Sequence, residues 1–262
     1  MSDRKPIPGK FVWCELQCSD VATAQAFYAE LLGWKNVPFP AGPTTYDMIF
    51  AGQTPDTMIG GYALLPGGDA RGSRWIASVS VEDVDGVAAA ATANGGEVVE
   101  PPHDIAGAGR GARIADPGGA ELALIRSARG DAPDVDDTPP GYFFWHELHT
   151  PDPDAALAFY AKTVGFAHET MKSPAGEYHV ISRSGIARGG VTGHLPPDTP
   201  PHWLPYVRVN DVDATAARAQ HLGAHLVVAP SDIPDIGRFT VIRDTVGAVL
   251  AVMKPNPRMS QR

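Results

Sequence analysis

The chain has 262 residues, 44% hydrophobic and 19% charged, which suits a globular protein large enough for two compact cores. Its net charge of -9 argues against a nucleic-acid partner, because phosphate neutralisation needs clustered Lys and Arg. No apolar run is long enough to span a bilayer, and none follows the charged opening Met1–Pro6, so the cytoplasm is the expected compartment.

Phe11 to Cys18 alternates apolar and polar residues, the period of a strand. Ser19-Asp20 then supplies helix-start chemistry. Val21 to Leu32 places Ala24, Phe27, Tyr28 and Leu31 near helical spacing, and Gly33 is expected as the C-terminal cap. Short strands are expected around Tyr46–Phe50 and Met58–Leu65. A second strand, Trp75 to Val81, leads through Asp83 into an alanine-rich helix that Asn94-Gly95-Gly96 ends. Cys14 and Cys18 share the first strand, where four residues cover about 13 Å. That exceeds disulfide reach, and two buried free thiols are expected.

The whole pattern then returns. Val12-Trp13-Cys14-Glu15-Leu16 reappears as Phe144-Trp145-His146-Glu147-Leu148, Phe27-Tyr28 as Phe159-Tyr160 and Gly33 as Gly165, all at an offset of 132. Trp75 matches Trp203, Gly109-Arg110 matches Gly237-Arg238 and Asp116 matches Asp244 at an offset of 128. The slip falls among turn residues, where a deletion costs least. A repeat this long reads as whole domains in tandem. The expected layout is a tail at 1–9, a first domain at 10–126, an acidic Pro-rich linker at 127–141, a second domain at 142–254 and a tail at 255–262. Within each domain the strand–Asp–helix signal recurs again (Cys18-Ser19-Asp20-Val21 against Val81-Glu82-Asp83-Val84), so the duplication is nested.

Strand–Asp–helix–Phe-Tyr–Gly-Trp, then strand, Asp-Val-Asp, helix, Gly-Gly and a terminal Asp116-Pro117-Gly118-Gly119 turn, resembles the vicinal oxygen chelate superfamily. That superfamily holds glyoxalase I, bleomycin-resistance proteins and extradiol dioxygenases, and the likeness is closest to its two-domain glyoxalase-like or hydroxylase-like subgroup. It covers about nine-tenths of the chain. The resemblance implies an α+β fold of tandem glyoxalase-like domains, each of two βαβββ modules forming a curved eight-stranded cup. In the family, four side chains inside the cup hold a divalent metal. Carried over to this chain, those positions fall on Trp13 and Trp145, near Ile76 and Leu204, on Ala123 and Ala251, and within 58–62 or 189–193. None of these side chains binds a metal, so no metal and no other cofactor is expected.

That expectation depends on strand register, because a slip of one residue exchanges the two faces. In the preferred register Trp13, Glu15 and Gln17 point into one cup and Trp145, Glu147 and His149 into the other. The slipped register would instead bring in Cys14 and His146, the latter joining His194. The tryptophans read either as ligand platforms or as filler for the space of a metal. A carboxylate in a low-dielectric cup needs a partner. For Glu15 and Glu147 that is either an arginine of the same domain, Arg110 or Arg238, or, for Glu147, a catalytic role as general base with His149. Arg110 and Arg238 are candidate clamps for an anionic ligand or surface arginines of a turn. Tyr46 and Tyr178 recur, as core or as ligand contacts. His202 is expected at the surface, as are His221 and His225 at a helix end. His146-Glu147-Leu148-His149 has the wrong spacing for a zinc protease helix, and Gly107–Gly111 lacks the context of a nucleotide loop.

The function expected from these residues is binding of a small organic molecule in metal-free cups, as in bleomycin-resistance proteins. The alternative is a glyoxalase- or hydroxylase-type enzyme, with lyase, isomerase or oxygenase chemistry at Glu147 and His149 or at a divalent metal. The chain is expected as a monomer or homodimer.

Overall fold

The computed structural model describes residues 4–41, 44–54, 57–65, 69, 71–173 and 176–257. Of the two expected tails, 1–3 and 258–262 lie outside them.

Each repeat begins with the strand that its alternation calls for. Strand β1 (Phe11–Cys18) and strand β9 (Phe143–His149) bury every second residue. Helices α1 (Val21–Leu32) and α3 (Pro153–Thr163) follow, each capped by an aspartate side chain that accepts a backbone N–H, Asp20 from Thr23 and Asp152 from Ala155. Gly33 ends α1 in the left-handed conformation (φ 72°), which a residue with a Cβ rarely adopts. Three strands complete each first module: β2 (Lys35–Ala41), β3 (Thr44–Phe50) and β4 (Met58–Leu64), then β10 (Ala167–Ser173), β11 (Gly176–Arg183) and β12 (Ile186–Thr192). The second modules run β5 (Arg74–Ser80), α2 (Val84–Ala93), β6 (Glu97–Ile105), β7 (Gly109–Ala115) and β8 (Glu121–Ser127), then β13 (His202–Arg208), α4 (Val212–His221), β14 (His225–Ile233), β15 (Gly237–Arg243) and β16 (Val249–Pro255).

These strands form two open eight-stranded sheets, in the orders β2-β3-β4-β1-β5-β8-β7-β6 and β10-β11-β12-β9-β13-β16-β15-β14. The fold class read from the sequence is the one observed, with tandem domains of paired βαβββ modules. Strand β2 contains Pro38 and Pro40, residues that read as chain breakers. It lies at a sheet edge, where a missing N–H removes no central ladder bond. Among the described residues no helix is long and apolar enough to cross a membrane.

The compact units of the molecule do not follow the repeats. One unit comprises 1–13, 76–133 and 145–204; the other comprises 14–75, 134–144 and 205–262. Each therefore joins the second module of one repeat to the first module of the other. In the unit that holds α1 and α4, Trp75 Nε1 donates to the Tyr28 hydroxyl (3.1 Å), which donates to Asp244 Oδ2 (2.7 Å). Asp244 Oδ1 accepts the backbone N–H of Ala248 and of Val246, holding the terminal turn. In the unit that holds α2 and α3, Trp203 Nε1 donates to the Tyr160 hydroxyl (3.0 Å), and Tyr160 bonds Asp116. The recurring Phe-Tyr, Trp and Asp positions are thus one buried polar chain written twice. Burial pushes both carboxyls, Asp116 and Asp244, above the usual carboxylate range, against the hydrogen bonds that favour the charge.

The acidic Pro-rich linker is exposed over 132–137 and 139–140, and two of its aspartates tether it. Asp131 is buried and accepts the backbone N–H of Ile7 (2.5 Å). The Asp137 carboxylate pairs with the Arg208 guanidinium. Composition reveals neither partnership, because both partners lie far from the linker in sequence.

Candidate functional site

In β9 the helix-facing residues His146 and Leu148 are buried, while Trp145, Glu147 and His149 share the opposite, open face. β1 has the same register: Cys14, Leu16 and Cys18 are buried, and Trp13, Glu15 and Gln17 alternate with them. His146 stacks on Phe11, ring centroids 4.1 Å apart at 10°. Its burial pulls the imidazole pKa down to about 3, so the ring is neutral filler. Burial likewise pushes both thiols up, and neither Cys14 nor Cys18 is in a disulfide.

On the open face of β9 the polar groups form one chain. Trp145 Nε1 donates to the Tyr178 hydroxyl (2.9 Å), and that hydroxyl bonds the Glu147 carboxylate. His149 Nε2 lies 2.8 Å from Glu147 Oε1, and both side chains are 13% exposed. His149 Nδ1 lies 2.7 Å from the backbone carbonyl of His194. Nδ1 is placed to donate to that carbonyl, and Nε2 meets Glu147 at ion-pair distance. Burial opposes a charge on the ring, but the Glu147 carboxylate and the His194 carbonyl outweigh it and hold the His149 pKa above the ordinary histidine value.

A glycine makes the tyrosine's position available. A Cβ on Gly190 would lie 1.9 Å from the Tyr178 hydroxyl oxygen, so only glycine lets the phenol cross this strand. The first repeat uses the same device, Gly61 under Tyr46, where the Tyr46 hydroxyl donates to Glu15 Oε2 (2.9 Å). There the remaining partner of Glu15 is the amide of Gln17, 3.0 Å from Oε1. One repeat thus surrounds its carboxylate with neutral donors, and the other adds an imidazole.

Sequence reasoning missed His202. It was expected at the surface; instead its ring stacks on His149 at 5.3 Å and 6°. The cause is sheet order: β13 lies beside β9, which brings residues far apart in sequence onto one face. Burial lowers the His202 pKa, and the charge of His149 lowers it further. Its Nδ1 lies 2.9 Å from the Pro200 carbonyl, so the neutral ring donates there and leaves Nε2 as an acceptor. The only signal available from sequence was the exchange of Arg74 for a histidine at an otherwise matched position.

Arg110 and Arg238 sit as surface arginines paired with aspartates, and neither is the partner seen for the glutamates. Arg110 forks onto Asp85 (2.5 and 2.7 Å) and reaches Asp104 (2.9 Å); Arg238 forks onto Asp213 (2.7 Å for each bond) and pairs with Asp232 (3.1 Å). Asp85 and Asp213 lie in the first turns of α2 and α4, so each arginine ties a helix start to a hairpin at the surface.

The donor set does not fit the divalent metal that the fold implies. The Trp145 N–H is a donor without a lone pair and is spent on Tyr178, while Ile76, Leu204, Ala123 and Ala251 are alkyl. The two histidines that do meet are parallel, so their nitrogens cannot converge on one ion, and both nitrogens of His149 already face other partners. Among the described residues no group of three or more His, Cys, Asp and Glu side chains is placed to hold an ion.

Residues 10–124 and 143–252 match the family model described as the glyoxalase/bleomycin resistance protein/dioxygenase superfamily. CFP32 of Mycobacterium tuberculosis, provisionally named a glyoxylase, is 38% identical over 94% of this chain and 95% of its own. The anthracycline biosynthesis protein DnrV of Streptomyces peucetius is 32% identical, with 94% of each chain covered. Among solved structures, the Mn(II)-bound glyoxalase of Novosphingobium aromaticivorans superposes with a TM-score of 0.66 at 18% identity, covering 94% of this chain and 82% of that one. The 2,3-dioxygenase LapB of Pseudomonas sp. KL28 gives 0.64 at 13% identity, covering 97% and 96%.

Proposed function

The chain belongs to the glyoxalase/bleomycin resistance protein/dioxygenase superfamily, and from that premise we propose that it binds a small, planar, hydroxylated organic molecule without a resident metal. The observation that carries this reading is the chain from Trp145 through Tyr178 and Glu147 to His149, with His202 stacked on its end. Its side chains hold one another in place, which supports a wall organised before a ligand arrives. Indole, phenol and imidazole offer flat apolar surface, and His202 Nε2 offers an acceptor for a ligand hydroxyl. The anthracycline biosynthesis proteins among the relatives suggest a fused aromatic ring system as the ligand. The role would be binding or sequestration, as in bleomycin-resistance proteins. We place it in the cytoplasm, where the free Cys14 and Cys18 stay reduced, as a monomer or homodimer.

The test is a titration of chelator-treated protein with 1,8-dihydroxyanthraquinone, read by tryptophan fluorescence. Saturable binding that ignores the chelator is expected, and Trp145→Ala should weaken it about tenfold or more. Binding that appears only after a divalent metal is added would sink the proposal.

A second reading rests on one feature: two stacked histidines, one with its pKa held above the ordinary value by Glu147 and one pushed below it by burial, suit an acid and a base side by side. Such a pair suits an isomerase or lyase that moves a proton next to a carbonyl. A turnover found by substrate screening that disappears in both Glu147→Gln and His202→Gln would establish it. Binding without turnover leaves the first reading in place.

A further inference from the structure

The turn between β14 and β15 and the end of β16 form a cleft of about 270 Å³. Pro234, Asp235, Lys254, Pro255, Asn256 and Pro257 are among the residues that line it. Register sets Asp232 beside Arg238 and Arg238 beside Lys254, so the three share one sheet face. Arg238 forks onto Asp213 in the first turn of α4, which makes that face the helix side. The cleft thus draws its charges from the helix side of the sheet, not from the open face that carries Glu147 and His149.

The first repeat has the same turn with a different lining. There the Ala108 N–H donates to the Ile105 carbonyl (2.9 Å) and the Ala128 N–H to the Ala108 carbonyl (2.8 Å). In the second repeat Ile236 donates to Ile233 (3.1 Å) and Asn256 to Ile236 (2.8 Å). At the offset of 128, Pro234 and Asp235 replace Ala106 and Gly107. Pro255, Asn256 and Pro257 likewise replace Ser127, Ala128 and Arg129. The backbone is kept, and the side chains around the cleft are what changed. Gly107 sits at φ 73° and Asp235 at φ 62°. That left-handed region suits glycine and strains a residue with a Cβ, so the second repeat carries strain where it places a carboxylate.

Arg238 is occupied by Asp213 and Asp232, and Asp232 by Arg238 (3.1 Å). One carboxylate, one ammonium and one amide are left over: Asp235, Lys254 and Asn256. All three are exposed, and among the described residues none of these side chains has a partner within the chain. We propose that the cleft is a second ligand site and takes a small zwitterion with an apolar side chain, the chemistry of a free α-amino acid. Asp235 receives the ligand's ammonium group, while Lys254 and the Asn256 amide N–H groups receive its carboxylate. The prolines offer the apolar side chain a wall of fixed φ, which loses little freedom on binding. The volume falls below the roughly 300 Å³ at which clefts for drug-sized ligands begin, so it suits a molecule of this size. A ligand with a single charge leaves either Asp235 or Lys254 unmatched. The site shares no residue with the wall at Glu147 and His149, and neither proposal depends on the other.

Leucine, leucinamide and N-acetylleucine test it, with the protein labelled with nitrogen-15 at asparagine and followed by NMR. Leucine should shift the Asn256 side-chain amide resonances saturably, and Trp145→Ala should leave that shift unchanged. Leucinamide keeps only the positive charge and N-acetylleucine only the negative one, and each should bind about fivefold more weakly, the scale of an exposed ion pair. Asp235→Gly copies the first repeat and returns glycine to a left-handed position, so the turn is retained. It should weaken leucine about fivefold and leave N-acetylleucine unchanged. If that variant fails to fold, the three ligands on the wild type decide alone. No saturable shift with leucine, equal affinity for leucine and either singly charged derivative, or undiminished leucine binding in folded Asp235→Gly would each overturn the proposal.

Discussion

The opening strands of the two repeats differ at few positions, yet those positions divide the chemistry. Both put Trp and Glu on the open face, and both lay a tyrosine hydroxyl over a glycine onto that Glu. In β1 the next open-face residue is Gln17, an amide, and Glu15 ends in neutral hydrogen bonds. In β9 it is His149, and Glu147 gains an imidazole whose pKa it holds up, with His202 stacked behind it. On the helix side, Cys14 in one strand is His146 in the other, and both are buried and uncharged. Duplication has thus kept the scaffold of each strand while loading only the second with groups that can hold or release a proton near neutral pH.

The largest effect expected from this difference is acid sensitivity that the second repeat brings and the first does not. His146 has a folded pKa of about 3 against a usual value of 6.5, so the unfolded chain takes up the proton first as pH falls. Its contribution is present above 6.5 and is lost on the way down to about 3, at about 1.4 kcal/mol per pH unit. Urea unfolding at several pH values should show that slope in the wild type and a flatter one in His146→Cys, which copies the first repeat. Parallel slopes would mean that the imidazole titrates freely. His149 acts with the opposite sign: its pKa is raised, so its stabilisation is full below 6.5 and fades as pH climbs through the folded value.

A smaller effect tests what the halves share. Tyr28→Phe and Tyr160→Phe each remove the hydroxyl that a buried aspartate depends on, and each should cost about 1–3 kcal/mol in chemical denaturation. Costs that differ by more than the error would show that the two buried chains are not equivalent.

The smallest effect sharpens the contrast between the carboxylates. Glu15→Gln should cost under about 1 kcal/mol, since an amide still accepts from Tyr46. Glu147→Gln removes the charge that holds the proton on His149. Burial then dominates, and the ring's pKa, followed by NMR, should fall below the ordinary histidine value. An unmoved titration would detach His149 from Glu147.

How much of this was legible can be argued residue by residue. The period-two alternation in Phe11–Cys18 and Phe143–His149 placed Trp, Glu and Gln or His on one face, because successive side chains of a strand must point to opposite sides. Asp20 and Gly33 marked the ends of α1 through local chemistry that needs no distant partner. Arg110 stayed open between two roles, because a basic residue in a glycine-rich turn looks the same whether it faces a ligand or the aspartate of a neighbouring helix.

Local pattern, then, was enough to specify the duplicated modules, their order and the facing of each strand, since these follow from covalent geometry and the burial of apolar stripes. Which module packs with which, and which side chains meet across strands, were decided by the folded molecule. Both repeats carry the same apolar stripes, so α2 satisfies its surface on α3 with no instruction that sequence periodicity could record. The meeting of His149 with His202 arises from sheet order, a property of strands that neighbour in space while lying far apart along the chain.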